Sequence, residues 1–392
     1  MSVAVPPDFE RSAAPSQQRP HGGIVQNGVV VVYFSKLGGR LRAHQKIMLD
    51  ADAKAIARLK RYDFRGCHDG AHDYRAPVFF VPDDTLLSDE ASSLGIRSCH
   101  DLYGGVVPHP FVKTKAITHE LVDHDAERPQ GWSAAFAEKV RDIVLPGYTV
   151  FSVHDAHLAA KRMLGRGSVR AKNPLGASGK GQTLVNTLNE LDAVLEQIPA
   201  EQMATYGLVL EEDLRHVSTL SVGHIALDPL RITYYGTQRT TTDNEGRSVY
   251  GGSDLICVRG GWEALDALPM RPEMRAGVAK ARRYDEAMPA YPGFIASRRN
   301  YDVGQGIDSE GRHRSGVFES SWRIGGASPA ELLALTEFAQ DPCAQVIEAA
   351  HVADFGQHRE APAGAVVHFD GDDPQAGPLI RYTKVTRRKS SQ

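Results

Sequence analysis

Apolar and polar residues change period several times along the chain, and each change predicts an element. The unbroken apolar run "VVVVYF" at residues 29–34 predicts a buried strand. "DADAKAIARLKRY" at residues 50–62 repeats its apolar positions every three or four residues and predicts an amphipathic helix, and "VFFV" at 78–81 predicts another strand. That order suggests a small parallel α/β unit. Ser133 is placed to cap a helix running to about residue 144, where "LPG" ends it, and Ser152 to cap another through Leu164. Short strands are expected at 168–172, 207–212, 219–227 and 231–236, with one helix near 190–197. The second half therefore reads as α+β. "SPAE" at 328–331 combines an N-cap serine, a proline at the first helical position and a glutamate three residues past the cap.

Residues 1–24 are rich in Pro, Ser, Gln and Arg and nearly lack bulky apolar side chains, so a loose tail is expected there. The whole chain has 392 residues, 42% apolar and 24% charged, enough to bury a large core and to divide into two or three domains. A formal net charge of -3 provides no face-wide basic excess, which excludes a polyanion-coating role. Cys67, Cys99, Cys257 and Cys343 lie far apart without a C-x-x-C pair, the usage of a reduced compartment. No apolar run reaches membrane-spanning length and no signal pattern opens the chain, so a cytoplasmic location is expected.

The chemistry starts at "KNPLGASGKGQ", residues 172–182. Gly176, Gly179 and Gly181 let backbone N–H groups face a concavity without Cβ obstruction, and Ser178 adds a hydroxyl. Lys172 and Lys180 supply point charges for a polyphosphate. The spacing does not fit a Walker loop, because Pro174 takes the first glycine position and Gly181 the hydroxyl position. Nor does it fit a dinucleotide fingerprint, since "QTLV" reads as a strand and not as a helix. A strand–loop–strand lid remains as the nucleotide-binding reading, with a plain solvent hairpin as the alternative.

Downstream, residues 298–326 read as two strands joined by the turn "SEGR" at 309–312. With Glu310 and Gly311 at the turn centre, Asp302 faces Glu319. Like charges directly opposed in a sheet are destabilising, and a divalent cation supplies a reason for them. Arg323 can reach the same place and meet a terminal phosphate. Magnesium prefers a few carboxylates plus nucleotide phosphates, so the acid pair and the glycine loop explain each other. "CHDGAH" at 67–72 holds residue types that ligate zinc, but no second cluster follows and a polar loop is expected.

On these residues the chain resembles the ATP-grasp superfamily. The resemblance covers roughly residues 100–330 and implies an α/β and α+β architecture: an N-terminal Rossmann-like (pre-ATP-grasp) domain over 25–145, a lid subdomain over 146–213, a C-terminal mixed-sheet subdomain over 214–386 and a short tail over 387–392. It further implies Glu211 in "LVLEEDL" as the residue that binds the adenine amine, with Glu212 to Leu214 as the hinge. "ESSWR" stands where the family has E-x-N-x-R, so Glu319, Asp302 and Ser321 fall at the metal-binding positions and Arg323 at the arginine. Ser321 replaces the usual Asn, and Ser218 stands where many members carry a ribose-binding acid. Lys115 and Lys139 are both candidates for the family's first lysine.

The implied activity is a carboxylate–amine or carboxylate–thiol ligase that uses ATP and Mg²⁺ (or Mn²⁺), forms an acyl phosphate and transfers it to a nucleophile. The alternatives are a biotin-carboxylase-like activation of bicarbonate and a nucleotide-binding protein with reduced catalysis. Partners are then a small-molecule carboxylate and an amine or other nucleophile, with no nucleic acid and no membrane; a homodimer is compatible with this. The substrate pocket is expected beside the polar stretch 237–254, with Arg239 as the candidate for a substrate carboxylate.

Overall fold

The computed structural model describes residues 28–39, 41–176, 181–357 and 359–390; the expected N-terminal tail lies outside the described residues. The N-terminal part contains strands β1 (Val29–Tyr33), β2 (Asp63–Cys67) and β3 (Val78–Pro82) and helix α1 (Ala43–Lys60). β1 is apolar on both faces because it is the middle strand of a parallel sheet ordered β2–β1–β3. α1 begins well before residue 50 and buries Met48, Leu49, Ala53, Ile56 and Ala57 along one face. The unit continues with β4 (Leu86–Leu87), α2 (Ser88–Ser93), β5 (Gly105–Val107) and α3 (Ala134–Val140). Ser133 caps α3 by accepting the Phe136 N–H at 3.2 Å, although the helix stops at Val140 and the residues after it form turns.

A second layer is built from β6 (Gly147–Val150), α4 (Val153–Leu164), β7 (Val169–Lys172), β8 (Gln182–Val185), α5 (Leu188–Leu195), α6 (Ala200–Tyr206) and β9 (Leu208–Glu212). Its four strands form an antiparallel sheet ordered β6–β9–β7–β8. Ser152 caps α4 through the Asp155 N–H at 3.2 Å, as its position predicts. Val150, Ala156, Ala159, Val169, Leu191 and Leu210 give this small sheet its own core. The glycine loop joins β7 to β8 as a hairpin, and its base is closed by Asn173 N–H on Gly181 O at 2.8 Å. Ala177, Ser178, Gly179 and Lys180 lie outside the described residues.

The large sheet uses β10 (Arg215–Leu227), β11 (Leu230–Thr242), β12 (Ser248–Arg259), β14 (Arg298–Ile307), β15 (His313–Ser321), β16 (Ala344–Phe355), β17 (Val366–Asp373) and β18 (Gly377–Ser390). Helices α7 (Trp262–Asp266), α8 (Pro272–Ala287) and α9 (Ser328–Gln340) and the short β13 (Ile295–Ala296) complete the chain. The order is β15–β14–β10–β11–β12–β16–β18–β17. The middle of this sheet is buried on both faces. Ile225, Tyr234, Leu255 and Ile347 share one core with β1, α1 and α9, while Leu220, Val222, Tyr301 and Val317 share another with α3 and α8. The N-terminal unit thus shares one face of its parallel sheet with the large sheet, while Val31, Phe80, Leu86, Ala91, Leu102 and Val106 form a smaller core of its own.

Three expectations are corrected. Residues 237–254, whose polarity suggests a loop, are the outer halves of β11 and β12, paired from Thr237↔Asp254 to Thr242↔Ser248. They are polar because they line a cavity rather than a core. Ser328 does not cap α9; Ala327 is the N-cap, Ser328 Oγ accepts the Gly325 N–H at 3.0 Å, and Glu331 turns into the core instead of back to the cap. The attraction of a buried guanidinium outweighs a surface cap here. Residues 387–390, expected as tail, are the end of β18, which pairs with β16 up to Ala344↔Ser390. No described helix is long and apolar enough to cross a membrane.

Candidate active site

A cavity of about 1130 Å³ opens between the small sheet and the large one, and its lining gathers residues distant in sequence. From the small sheet come Lys172, Glu211, Glu212 and Leu214; from the large sheet come Asp302, Glu319, Ser321 and Arg323. Lys115, on a 3₁₀ turn of the N-terminal part, stands between them. Its Nζ donates to Gly176 O at 2.7 Å and pairs with Glu319 at 2.9 Å. One ammonium therefore touches both the first glycine of the lid loop and the acid pair. Lys139, the other candidate for the first lysine, is exposed on α3 and does not line the cavity.

The acid pair is set by a register the turn alone would not give. β14 and β15 meet as Ile307↔His313 and Gly304↔Gly316, one residue out of step with the expected pairing, and the loop is Asp308 to Arg312. A bulge at Phe318 restores the step, so Asp302 does face Glu319. Burial, then the nearby Glu319, pushes the Asp302 carboxyl up to about 6. Asn300 Nδ2 donates to Asp302 at 3.0 Å and Ser221 Oγ at 3.4 Å, while Gln238 donates to Ser221 at 3.1 Å.

Lys172 ends β7 with its ammonium on the carboxylate of Glu211 and 4.3 Å above the Phe318 ring. The other Glu211 oxygen lies 2.9 Å from His119 Nε2. Burial opposes ionisation of Glu211, but Lys172 and His119 more than offset it and hold the carboxyl below its usual value. Glu211 is only 1% exposed, and its two oxygens are engaged by Lys172 and His119. At the hinge, the N–H groups of Glu212 and Asp213 are taken by Pro146 O and Ser168 O. Among the described residues no carbonyl accepts the Leu214 N–H.

Other expected residues fall differently. Arg239 lines the cavity, but its guanidinium is forked onto Asp254 with two contacts of 2.6 Å, so it is already satisfied. Arg323 stands at the mouth, donating to Ile324 O at 3.1 Å and 3.9 Å from Asp84. Ser321 faces Asn300 across the hairpin, with its hydroxyl 3.5 Å from Arg298. Ser218 is exposed on the cavity rim.

Sequence reasoning missed the support beneath the pair. Arg298 is 1% exposed and forks onto Glu331 at 2.7 and 3.0 Å; it also donates to Arg323 O at 2.6 Å. Tyr103 OH lies 2.9 Å from Glu331, and Tyr234 OH lies 2.5 Å from Glu331 and 2.8 Å from Asn300. A readable signal existed: strand alternation puts Arg298, Asn300 and Asp302 on one face.

Among the described residues no three His, Cys, Asp or Glu side chains cluster as an all-protein metal cage. Two opposed carboxylates, one of them reluctant to ionise, fit a magnesium ion that takes its remaining ligands from phosphates and water. We expect the affinity for Mg²⁺ in the presence of ADP to rise with pH up to about 6, by about tenfold per unit, because a proton on Asp302 competes with the metal. Calorimetric titration between about pH 5 and pH 7.5 checks this; a flat profile contradicts the placement of the ion.

The four-stranded lid, the large antiparallel sheet with paired acids on its edge hairpin, and the cavity between them are the architecture of the ATP-grasp fold. The chain belongs to the family described as "Protein of unknown function (DUF3182)", whose model matches residues 32–383. No curated protein matches. Among solved structures it is similar to a biotin carboxylase from Campylobacter jejuni, with 12% identity and a TM-score of 0.46 over 91% of this chain and 87% of that one. It is also similar to the biotin carboxylase domain of 2-oxoglutarate carboxylase from Hydrogenobacter thermophilus, with 12% identity and a TM-score of 0.48 over 90% and 85%. A D-alanine–D-alanine ligase from Bacillus anthracis matches with 12% identity and a TM-score of 0.45 over 80% and 97%. At such identities and TM-scores the fold reading rests on the chain's own topology and on its site.

Proposed function

We propose that the protein is an ATP-dependent ligase that activates a carboxylate as an acyl phosphate and passes it to an amine or similar nucleophile. The observation that carries this reading is Lys115, bound at once to the base of the glycine loop and to Glu319 of the acid pair. A triphosphate entering the cavity meets the loop, the lysine and the acids together. A substrate carboxylate oxygen then bonds to the γ-phosphorus as the bridging P–O bond to ADP breaks. The nucleophile next attacks the acyl carbon, phosphate leaves, and the nucleophile's proton is released to solvent. Bound between Asp302 and Glu319, Mg²⁺ would neutralise charge on the β- and γ-phosphates.

The chain's own groups supply position and charge. Lys115, now on Glu319, is placed to donate to a phosphate oxygen, with Glu319 then one of the two acids that would hold the ion, and Arg323 meets the terminal phosphate or the acyl phosphate. Lys172 contributes field from behind Phe318, already fixed by Glu211. The nucleotide base lies at Leu214.

The test is ADP formation across amino acids, dicarboxylates and amines. Release of ADP is expected only with Mg²⁺ and with both a carboxylate and a nucleophile present, and Lys115→Ala should slow it about 10²–10³-fold. An AMP product, or ADP release indifferent to Lys115, defeats the reading.

A further inference from the structure

Of the carboxylates buried below a tenth exposure, Asp52 is the one with no hydrogen-bond donor among the described residues. It projects from α1 into the main cavity and is 5% exposed. Arg381, on β18 between Ala353 and Phe369, lines the same cavity, and its buried Nε has no partner. Elsewhere in the fold buried cations are matched, Arg298 by Glu331, Lys172 by Glu211 and Arg299 by Asp285. Isolated buried charges are costly unless something completes them.

These two do not complete each other. Arg381 is the leading opposite charge acting on Asp52, yet no ion pair of 4.0 Å or less joins them among the described residues. Burial accordingly pushes the Asp52 carboxyl up to about 8 and pulls the Arg381 guanidinium below its usual value. Both line the same cavity as Tyr250, whose ring packs on Gly326 so closely that a Cβ there would lie 2.5 Å away. Tyr250 feels both Arg381 and Asp302, so this recess and the acid pair belong to one chamber.

We propose that one of the two substrates of the ligation is a small zwitterion, an amino acid or amino-acid-like molecule, whose carboxylate is held by Arg381 and whose ammonium is held by Asp52. The geometry asks for both charges on one short skeleton: a guanidinium fork donates to a carboxylate, and a carboxylate without donors accepts from an ammonium. Arg239, already closed by Asp254, is thereby replaced as the carboxylate anchor. This deepens the ligase reading and rests on it for the role of the ligand, though not for its binding.

The experiment is calorimetric titration of the full chain with Mg²⁺ and ADP present. The probes are the proteinogenic amino acids in both enantiomeric forms, their desamino acids and their decarboxylated amines. At least one zwitterion should bind, with its desamino and decarboxylated counterparts at least about tenfold weaker. Asp52→Asn and Arg381→Gln should each weaken that zwitterion by a similar factor while ADP binding stays unchanged, which also shows that the variants fold. Zwitterion binding with these losses supports the pocket even where no ADP is released, the result that would sink the ligase reading alone. Equal binding of a desamino acid, no zwitterion bound at all, or variants that bind as well as the wild type would overturn the proposal.

Discussion

Replacing Arg298 by alanine should cost about 3–5 kcal/mol of folding stability, the largest single loss expected in the chain. The guanidinium and Glu331 are both sealed from water, at 1% and 0% exposure, and each satisfies the other through two contacts. Burial works against the Glu331 carboxylate, yet Arg298 with the hydroxyls of Tyr234 and Tyr103 holds it below its usual value. Removing the arginine strands that charge in a low-dielectric interior and leaves a cavity. Arg298→Met combined with Glu331→Leu should lose less than either single change, because no uncompensated charge is left behind. Urea unfolding of the wild type, both single variants and the double variant measures this; a single-variant loss below about 1 kcal/mol would show the pair to be dispensable. The consequence reaches the site, since Tyr234 bridges from Glu331 to Asn300 and Asn300 orients Asp302.

Lys172→Ala carries the second largest expectation, a loss of about 3 kcal/mol in the unliganded protein together with loss of nucleotide-dependent thermal stabilisation. The direction of its pH dependence is the sharper test. In the wild type the folded-state pKa of Glu211 is lowered, so its contribution is present above the ordinary glutamate range and is lost as pH falls through the folded value. Without Lys172 the same buried carboxyl faces desolvation with only His119 beside it, its folded pKa rises, and acid then relieves the penalty. The deficit of the variant relative to the wild type should therefore shrink as the pH is lowered from about 7 to about 4. A deficit constant across that range would mean that Glu211 is not the charge Lys172 balances.

Much of the site was legible because its chemistry sits in short, rule-bound stretches. Three glycines with a lysine before them marked the β7–β8 hairpin, and two acids placed symmetrically about a turn marked the Asp302–Glu319 pair. The Asp302–Glu319 pairing was right for an incomplete reason, since the turn is one residue out of step and the bulge at Phe318 corrects it. Bulges follow from packing, here against Lys172, and leave no local mark. Lys115 could not be told from Lys139 because a 3₁₀ turn carries no periodicity, so its side-chain direction is decided by the elements around it.

Arg239 and Glu211 show what the sequence leaves out: each is paired with a neighbour that only folding brings close. The sequence by itself determined β1, β3, the caps at Ser133 and Ser152, the β7–β8 and β14–β15 hairpins and the residues gathered on them, because periodicity, caps and turns are local consequences of backbone geometry. Tertiary structure alone decided which charges neutralise each other and which stay free. Electrostatic energy depends on distance and burial rather than on position along the chain, so Arg298 found Glu331, Lys172 found Glu211, and Asp52 and Arg381 were left facing one cavity without partners.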